Sequence, residues 1–303
     1  MPSGLAIIGA GRVGQALGRR LHELGWRVGV VTTRSTSTAR AAVRAIGAGR
    51  PTDRLTRLVL SSDVVLIATG DSVIREVAAE LARLGGNEWP GKVVLHTSGA
   101  LDSSVLAPLS RAGAATGSIH PMQTFSGQSA PDLSRCVFGI EGSGPALRVA
   151  RRMIRQMGGI AVRLSGENKA GYHAAGSLAC SHVLTLVEAA TRLLMAQGFS
   201  RRQASRALLP MTRQMLDNFE RLGPRAAWTG PMARGDYATV ERHAGALTAF
   251  PKEYLLAYAA VSRLSAVLLS EDSKRALQNL ELAITSGQKG RNGSGLKLQA
   301  AAK

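Results

Sequence analysis

Three glycines near its start leave this chain few ways to fold. Gly9, Gly11 and Gly14 follow the apolar run Leu5-Ala6-Ile7-Ile8 and open a segment in which Val13, Leu17, Leu21 and Leu24 recur at helical spacing until Gly25 stops it. Strand, tight turn and helix begin a βαβ unit, and Val28-Gly29-Val30-Val31 supplies its next strand. In that setting the glycines let the backbone approach a pyrophosphate closely, while the helix N-terminus offers free N–H groups and a positive dipole end. The spacing alone also suits a junction that is merely tight, so its meaning rests on the strand before it and the helix after it.

Further strands are expected at 64–67 and 93–95 and around 115–119 and 137–140, separated by helical segments at about 36–48, 73–84, 102–111 and 145–157. This alternation describes an α/β chain whose residues 1–166 form a Rossmann doubly wound parallel sheet. From 167 the pattern changes. Residues 168–196, 201–221, 235–246 and 251–283 have a helical period with no strand between them, an all-helical second domain over 167–285. Residues 286–303 have glycines and basic residues but no apolar period, and a disordered basic tail is expected there.

Composition narrows the class. Hydrophobic residues make up 45% of the 303 and charged residues 19%, which excludes a disordered chain. No apolar run of the roughly 18 residues that a membrane span needs stands out, and Leu5–Ile8 is too short for a secretory signal, so a cytoplasmic protein away from the membrane is expected. The net charge of +18 is spread along the chain, and only seven of the 38 basic residues are Lys, so biased codon usage explains it as readily as an anionic partner. Aromatic residues at 4% are too few for a base-stacking surface, and no nucleic-acid partner is expected. Cys136 and Cys180 lack CxxC spacing, so neither a disulfide framework nor a metal site is expected.

About 20 residues past the third glycine, an NAD site carries a carboxylate for the ribose 2′-hydroxyl. This chain reads Thr32-Thr33-Arg34-Ser35-Thr36 there, without one. A guanidinium between hydroxyls suits a 2′-phosphate, so Thr33, Arg34 and Ser35 join Gly9, Gly11, Arg12, Val13 and Gly14 as candidate contacts of NADP. Arg34 as an ordinary solvated residue is the other reading. Two later strand ends share that edge of the sheet: Ala68-Thr69-Gly70-Asp71, with Thr69 and Gly70 as cofactor contacts, and His96-Thr97-Ser98-Gly99-Ala100. Thr97, Ser98 and Gly99 are small enough to meet a substrate there, or they cap the next helix.

The glycine turn, His96 to Ala100, Gly117-Ser118-Ile119-His120-Pro121-Met122-Gln123-Thr124-Phe125, Lys169-Ala170-Gly171-Tyr172-His173-Ala174-Ala175 and Thr229-Gly230-Pro231-Met232-Ala233-Arg234-Gly235-Asp236 together resemble one family. It comprises Rossmann-like proteins with a C-terminal helical domain of unknown function, often described as NADP-dependent oxidoreductases. More distantly, the layout is similar to the 6-phosphogluconate dehydrogenase-like superfamily, which includes ketopantoate reductases, β-hydroxyacid dehydrogenases and pyrroline-5-carboxylate reductases. The resemblance implies NADPH-dependent reduction of a small anionic 2-oxo acid, similar to ketopantoate, with Lys169 in the place of the general acid. His173 stands where those enzymes carry Asn. Imine reduction of the pyrroline-5-carboxylate type is the alternative within the superfamily, and a non-catalytic NADP-binding sensor or scaffold the alternative outside enzymes.

The residues have their own logic beside the resemblance. Lys169 and His173 are four apart and share a helix face, which Ser177 continues. Ketone reduction develops negative charge on oxygen, and an ammonium or imidazolium that protonates it contributes about 10²–10⁴-fold. Lys in an Arg-dominated chain suggests a titratable charge; a solvated lysine at a helix start is the plainer reading. His120, expected with Gln123 in a turn and loop over the cleft, is either a substrate contact or second acid, or a structural histidine bonded to a carbonyl. Arg234 either clamps a substrate carboxylate with Asp236 orienting it, or the two form an internal ion pair. The stretch 251–270 is more apolar than a surface helix needs, so a homodimer through the helical domain is expected.

Overall fold

The computed structural model describes residues 4–127 and 131–289, in two compact units, Met1–His182 and Val183–Lys303. The first unit holds β1 (Gly4–Ile8), α1 (Arg12–Glu23), β2 (Arg27–Thr32), α2 (Thr36–Ile46), β3 (Arg50–Thr52), β4 (Val64–Ile67), α3 (Ile74–Gly85), β5 (Val93–His96), α4 (Ala107–Arg111), β6 (Ala115–Pro121), β7 (Val137–Gly142), α5 (Gly144–Met157), β8 (Ile160–Arg163) and α6 (Lys169–Ser177). Its strands form one sheet in the order β3-β2-β1-β4-β5-β6-β7-β8. β1 is buried throughout, and alternate residues serve opposite faces: Leu5 and Ile7 pack with α1, α2 and α5, whereas Ala6 and Ile8 pack with α3 and α4.

Register places the functional edge. Ile8 pairs with Ile67, Ile67 with His96, and His96 with Ser118, so the turns after β1, β4 and β5 emerge side by side. β6 alone runs on past that line. An antiparallel ladder to β7 pairs His120 with Gly139 and Pro121 with Phe138, so His120 is a strand residue and not part of a turn. Pro121 is tolerated because it closes the strand. The β6–β7 pairing also makes the sheet parallel-dominated rather than wholly parallel. β3 and β8 add strands that the apolar pattern did not reveal: Arg50-Pro51-Thr52 is too polar, and Ile160–Arg163 is a largely exposed final strand. α6 lies past the composition change at 167, yet bonds from Lys169 and Tyr172 to the sheet keep it in the first unit.

The second unit is helical throughout its described residues: α7 (Val183–Ala196), α8 (Arg201–Leu222), α9 (Pro224–Ala227), α10 (Tyr237–Leu247), α11 (Lys252–Leu269) and α12 (Ser273–Lys289). A capping box starts α8: the Ser200 hydroxyl accepts from the Gln203 N–H, and the Gln203 side chain accepts from the Ser200 N–H. The expected single helix 251–283 is two, because Ser270 is extended and Asp272 caps α12 by accepting from the Arg275 N–H at 2.9 Å. Residues 286–289, expected in the tail, are the last turn of α12. Gly287 there lets α12 meet α10; a Cβ on it would lie 2.8 Å from the Ala244 Cβ. The rest of the expected tail, 290–303, lies outside the described residues.

The helical run Gly166–Ala196 spans 31 residues and contains an 18-residue window of mean hydropathy 1.3. By length and composition it reaches what a span needs, contrary to the expectation that no such run is present. Its first turn is committed elsewhere, since Lys169 is buried against the sheet.

Candidate active site

A cavity of about 370 Å³ opens at the edge where β1, β4 and β5 end, and the glycine turn lines it. The three glycines do different things. Gly9 has φ +81°, and a Cβ there would lie 2.6 Å from the Thr69 backbone nitrogen; Gly14 packs equally tightly on the Gly9 carbonyl. A Cβ on Gly11 would meet nothing within 4 Å, so the backbone is bare toward the cavity. Gly11 caps α1 without any side-chain bond, and the first turn has no acidic residue, which leaves N–H groups and dipole for an anion. Thr69, on the cavity wall, has a buried hydroxyl without a partner among the described residues. Ser35 is committed, since its hydroxyl caps α2 by accepting from the Thr38 N–H, and the Thr33 hydroxyl donates to the Ser35 carbonyl. Arg34, exposed between them, makes no hydrogen bond or ion pair among the described residues. Arg12 reaches the other way and donates to the Phe125 carbonyl at 3.4 Å. These groups fit a phosphorylated dinucleotide: a bare turn, an uncapped helix start, an orphaned hydroxyl and an unpaired guanidinium.

Two imidazoles also line the cavity. His120 and His173 have ring centroids 5.7 Å apart, edge to face, and both press on Gly99. A Cβ at Gly99 would lie 2.5 Å from His173 Cδ2 and 2.7 Å from His120 Nε2. His120 Nε2 therefore faces the turn at the cavity, while Nδ1 lies 3.1 Å from the Tyr172 hydroxyl. Burial pushes His120 down to about 4, helped by His173 and Lys169 and opposed by Asp71, so it is neutral at pH 7.

The turn beneath is fixed by its own bonds. The Ser98 N–H donates to His96 Nδ1 at 3.2 Å, so Nε2 carries the proton and donates to the Asp102 carbonyl at 3.2 Å. Burial, with the Lys169 charge behind it, pushes His96 down to about 3. The Ser98 hydroxyl donates to Asp71 at 2.8 Å and accepts from the N–H groups of Ala100 and Leu101. Ser98 thus lines the cavity with its hydroxyl already used, whereas Thr97 and Gly99 present no such commitment.

Lys169 lies behind this wall. It has no exposed surface, and its ammonium donates to the Ser98 carbonyl at 2.9 Å and the Ser118 hydroxyl at 2.7 Å. Burial pushes it down to about 8, against the charges of Glu141, Asp102 and Asp71. Glu141 is itself held by the Ser103 N–H and hydroxyl. Gln123 lines the cavity but turns its amide oxygen to the Thr124 N–H at 2.8 Å. The Ser177 hydroxyl bonds back to the His173 carbonyl, one turn from the cavity. Arg234 and Asp236 belong to the second unit. Asp236 spends its carboxylate on capping α10, accepting from the N–H and hydroxyl of Thr239, which holds its pKa below the usual carboxylate range.

Three further residues take part. Asp71 holds Ser98, Tyr172 holds His120, and Gly139 leaves room for the Tyr172 ring, since a Cβ there would be 2.8 Å from its Cζ. Only the one-residue spacing of Tyr172 from His173 hinted at any of them.

Residues 3–121 match a Rossmann-like domain, and residues 136–265 match a domain of unknown function, DUF2520. The chain joins a Rossmann-like domain to a DUF2520 domain. Residues that line the cavity fall in both matched segments: the glycine turn and His120 in the first, and His173 in the second. No curated protein matches the chain in sequence. Solved structures do match in fold. A candidate NADP oxidoreductase from Bacteroides fragilis is 20% identical, with 95% of this chain and 98% of that one covered and a TM-score of 0.66. A reductive aminase from Aspergillus terreus, solved with NADPH and ethyl-5-oxohexanoate, is 18% identical, with 97% of each chain covered and a TM-score of 0.60. A pyrroline-5-carboxylate reductase from Coxiella burnetii is 15% identical, with 95% and 98% covered and a TM-score of 0.55. At these identities the likeness is one of fold.

Proposed function

We propose that this protein is an NADP-dependent reductase acting on the C=N bond of a small substrate. One observation carries the reading: a single cavity is lined both by a phosphate-fitting glycine turn and by two neighbouring imidazoles. A reduced nicotinamide bound there supplies a hydride. The chain's own residues hold the dinucleotide through the α1 N-terminus and Thr69, with Arg34 as the partner of a 2′-phosphate. His120 and His173 contact the group that is reduced.

The choice of C=N over C=O follows from Lys169. A ketone needs a proton donor at its oxygen, and the ammonium expected for that role is turned into the protein, between Ser98 and Ser118. A protonated imine brings its own proton. The reductive aminase and pyrroline-5-carboxylate reductase folds are in keeping with this. Reduction of a 2-oxo acid keeps one specific support: Lys169 has three N–H donors for two acceptors and titrates near 8, low enough to release a proton. We also propose a homodimer through the helical unit, where α11 exposes Leu256, Leu264, Val267 and Leu268 and α8 exposes Met211, Leu216 and Phe219. A single-chain mass in light scattering overturns the dimer.

NADPH oxidation measured against cyclic imines and 2-oxo acids tests the activity. Turnover of imines that survives Lys169→Ala supports the C=N reading. Turnover confined to 2-oxo acids and lost in Lys169→Ala assigns Lys169 the proton and overturns it. NADPH binding without oxidation makes the protein a sensor.

A further inference from the structure

The Tyr172 hydroxyl stands at the β6–β7 ladder, between two residues that the register places opposite each other, His120 and Gly139. Three polar groups lie within bonding reach of it. The Gly139 N–H donates to it at 3.2 Å, it donates to the His120 carbonyl at 3.3 Å, and His120 Nδ1 is 3.1 Å away. A phenol has one proton and two acceptor sites. With the proton on the carbonyl and one acceptor site on Gly139, the remaining site accepts from Nδ1–H, and all three contacts are made at once. The opposite tautomer takes the phenol proton for Nδ1 and gives up the carbonyl bond.

We infer that Tyr172 is a positioning residue that holds His120 as the Nδ1–H tautomer, so that the ring turns a bare Nε2 to the cavity and accepts the N–H of a protonated imine. The inference rests on reading the cavity as a reductase site and names the substrate class it selects. A neutral imidazole lone pair attracts an iminium N–H and repels the lone pairs of a ketone oxygen. Hydride added to the iminium carbon moves the π pair to nitrogen and yields a neutral amine that keeps its original proton. The reduced nicotinamide supplies both electrons, and the protein neither gains nor loses a proton. Asp71, also on the cavity, adds a negative charge that favours a cationic substrate. The position of Nε2, 2.7 Å from where a Gly99 Cβ would be, puts the lone pair at the turn and away from the sheet.

The test is a ¹H–¹⁵N correlation spectrum of the full chain labelled at histidine, with the His120 signals identified by their loss in His120→Asn. The expected result is a protonated Nδ1 and a bare Nε2 in the wild-type protein at pH 7. A protonated Nε2 overturns the inference whatever the activity proves to be. Tyr172→Phe keeps the ring and removes the bond; it is expected to mix the His120 tautomers and to raise KM for a cyclic imine about tenfold, the equivalent of one hydrogen bond, with the NADPH dissociation constant unchanged. An unchanged tautomer in Tyr172→Phe also overturns it. If no substrate oxidises NADPH, the reductase reading fails while the spectrum still decides the tautomer.

Discussion

Gly99→Ala isolates the geometry of the histidine wall. The added methyl would sit 2.5 Å from His173 Cδ2 and 2.7 Å and 2.9 Å from His120 Nε2 and Cδ2. Carbon atoms rest at about 3.5–4.0 Å, so the rings must withdraw by roughly 1 Å. They do not yield equally. His120 is held by Tyr172, whereas His173 is exposed and free to swing, so the pair separates. Backbone strain adds nothing, because the φ of Gly99 lies outside the left-handed region. Overpacking of this kind costs about 1–3 kcal/mol of stability, and a 1 Å misplacement of positioned groups costs on the order of 100-fold in rate. We expect kcat/KM with the best imine to fall about 100-fold and NADPH affinity to stay within about twofold. Gly171→Ala is the control: it lies in exposed α6 with nothing within 4 Å of its Cβ and should gain about 0.5–1 kcal/mol with activity intact. Wild-type kcat/KM in Gly99→Ala, measured by NADPH oxidation, would refute the placement of the reacting group between the two imidazoles.

Arg34→Ala should weaken NADPH binding by about 10-fold to 100-fold, the range of a charge-assisted bond, and leave NADH binding unchanged; titration calorimetry with both nucleotides checks it. Acid should destabilise the protein through its buried histidines. His96 at about 3 and His120 at about 4 both lie below the 6.5 of the unfolded chain, so the unfolded state binds more protons, and stability falls as pH drops from 6.5 toward 3. At about 1.4 kcal/mol per unit, His96 alone accounts for on the order of 3 kcal/mol between pH 7 and pH 4, read as the change in urea unfolding over that range and as its reduction in His96→Asn. Lys169, at about 8 against 10.5, acts in the alkaline range: stability should rise with pH between those values. Gly287→Ala should cost about 1–3 kcal/mol by forcing α12 from α10, where the new methyl meets the Ala244 Cβ at 2.8 Å; a denaturation midpoint equal to wild type contradicts that packing.

What the sequence made legible follows from which forces are local. The glycine turn, β1 and α1 were readable because a strand buried on both faces and an amphipathic helix leave opposite periodicities side by side. β3 and β8 left no such mark: one is Arg-Pro-Thr, and the other is largely exposed. His120 was placed in a turn because Pro121 reads as a breaker, yet the antiparallel partner β7 carries the strand past it. Gly287 read as part of a disordered basic tail and is a helix-crossing contact. At the site, residue types were legible and their directions were not. Lys169 and His173 do share a face, but the hydrogen bonds of a buried ammonium to Ser98 and Ser118 depend on residues 71 and 51 positions away, which no spacing rule reaches. The role of Tyr172, quoted only as part of the 169–175 stretch, was not readable for the same reason, since its partners His120 and Gly139 lie on two strands distant in sequence.

The most direct test of the account follows the hydride itself. NADPH carrying deuterium at the transferable nicotinamide position is mixed with the protein and a cyclic imine, and the product is weighed by mass spectrometry. The account predicts one deuterium on the carbon of the former C=N bond, formed at a rate that falls in Gly99→Ala and persists in Lys169→Ala. NADPH that binds and yields no labelled product from any imine or 2-oxo acid would contradict it.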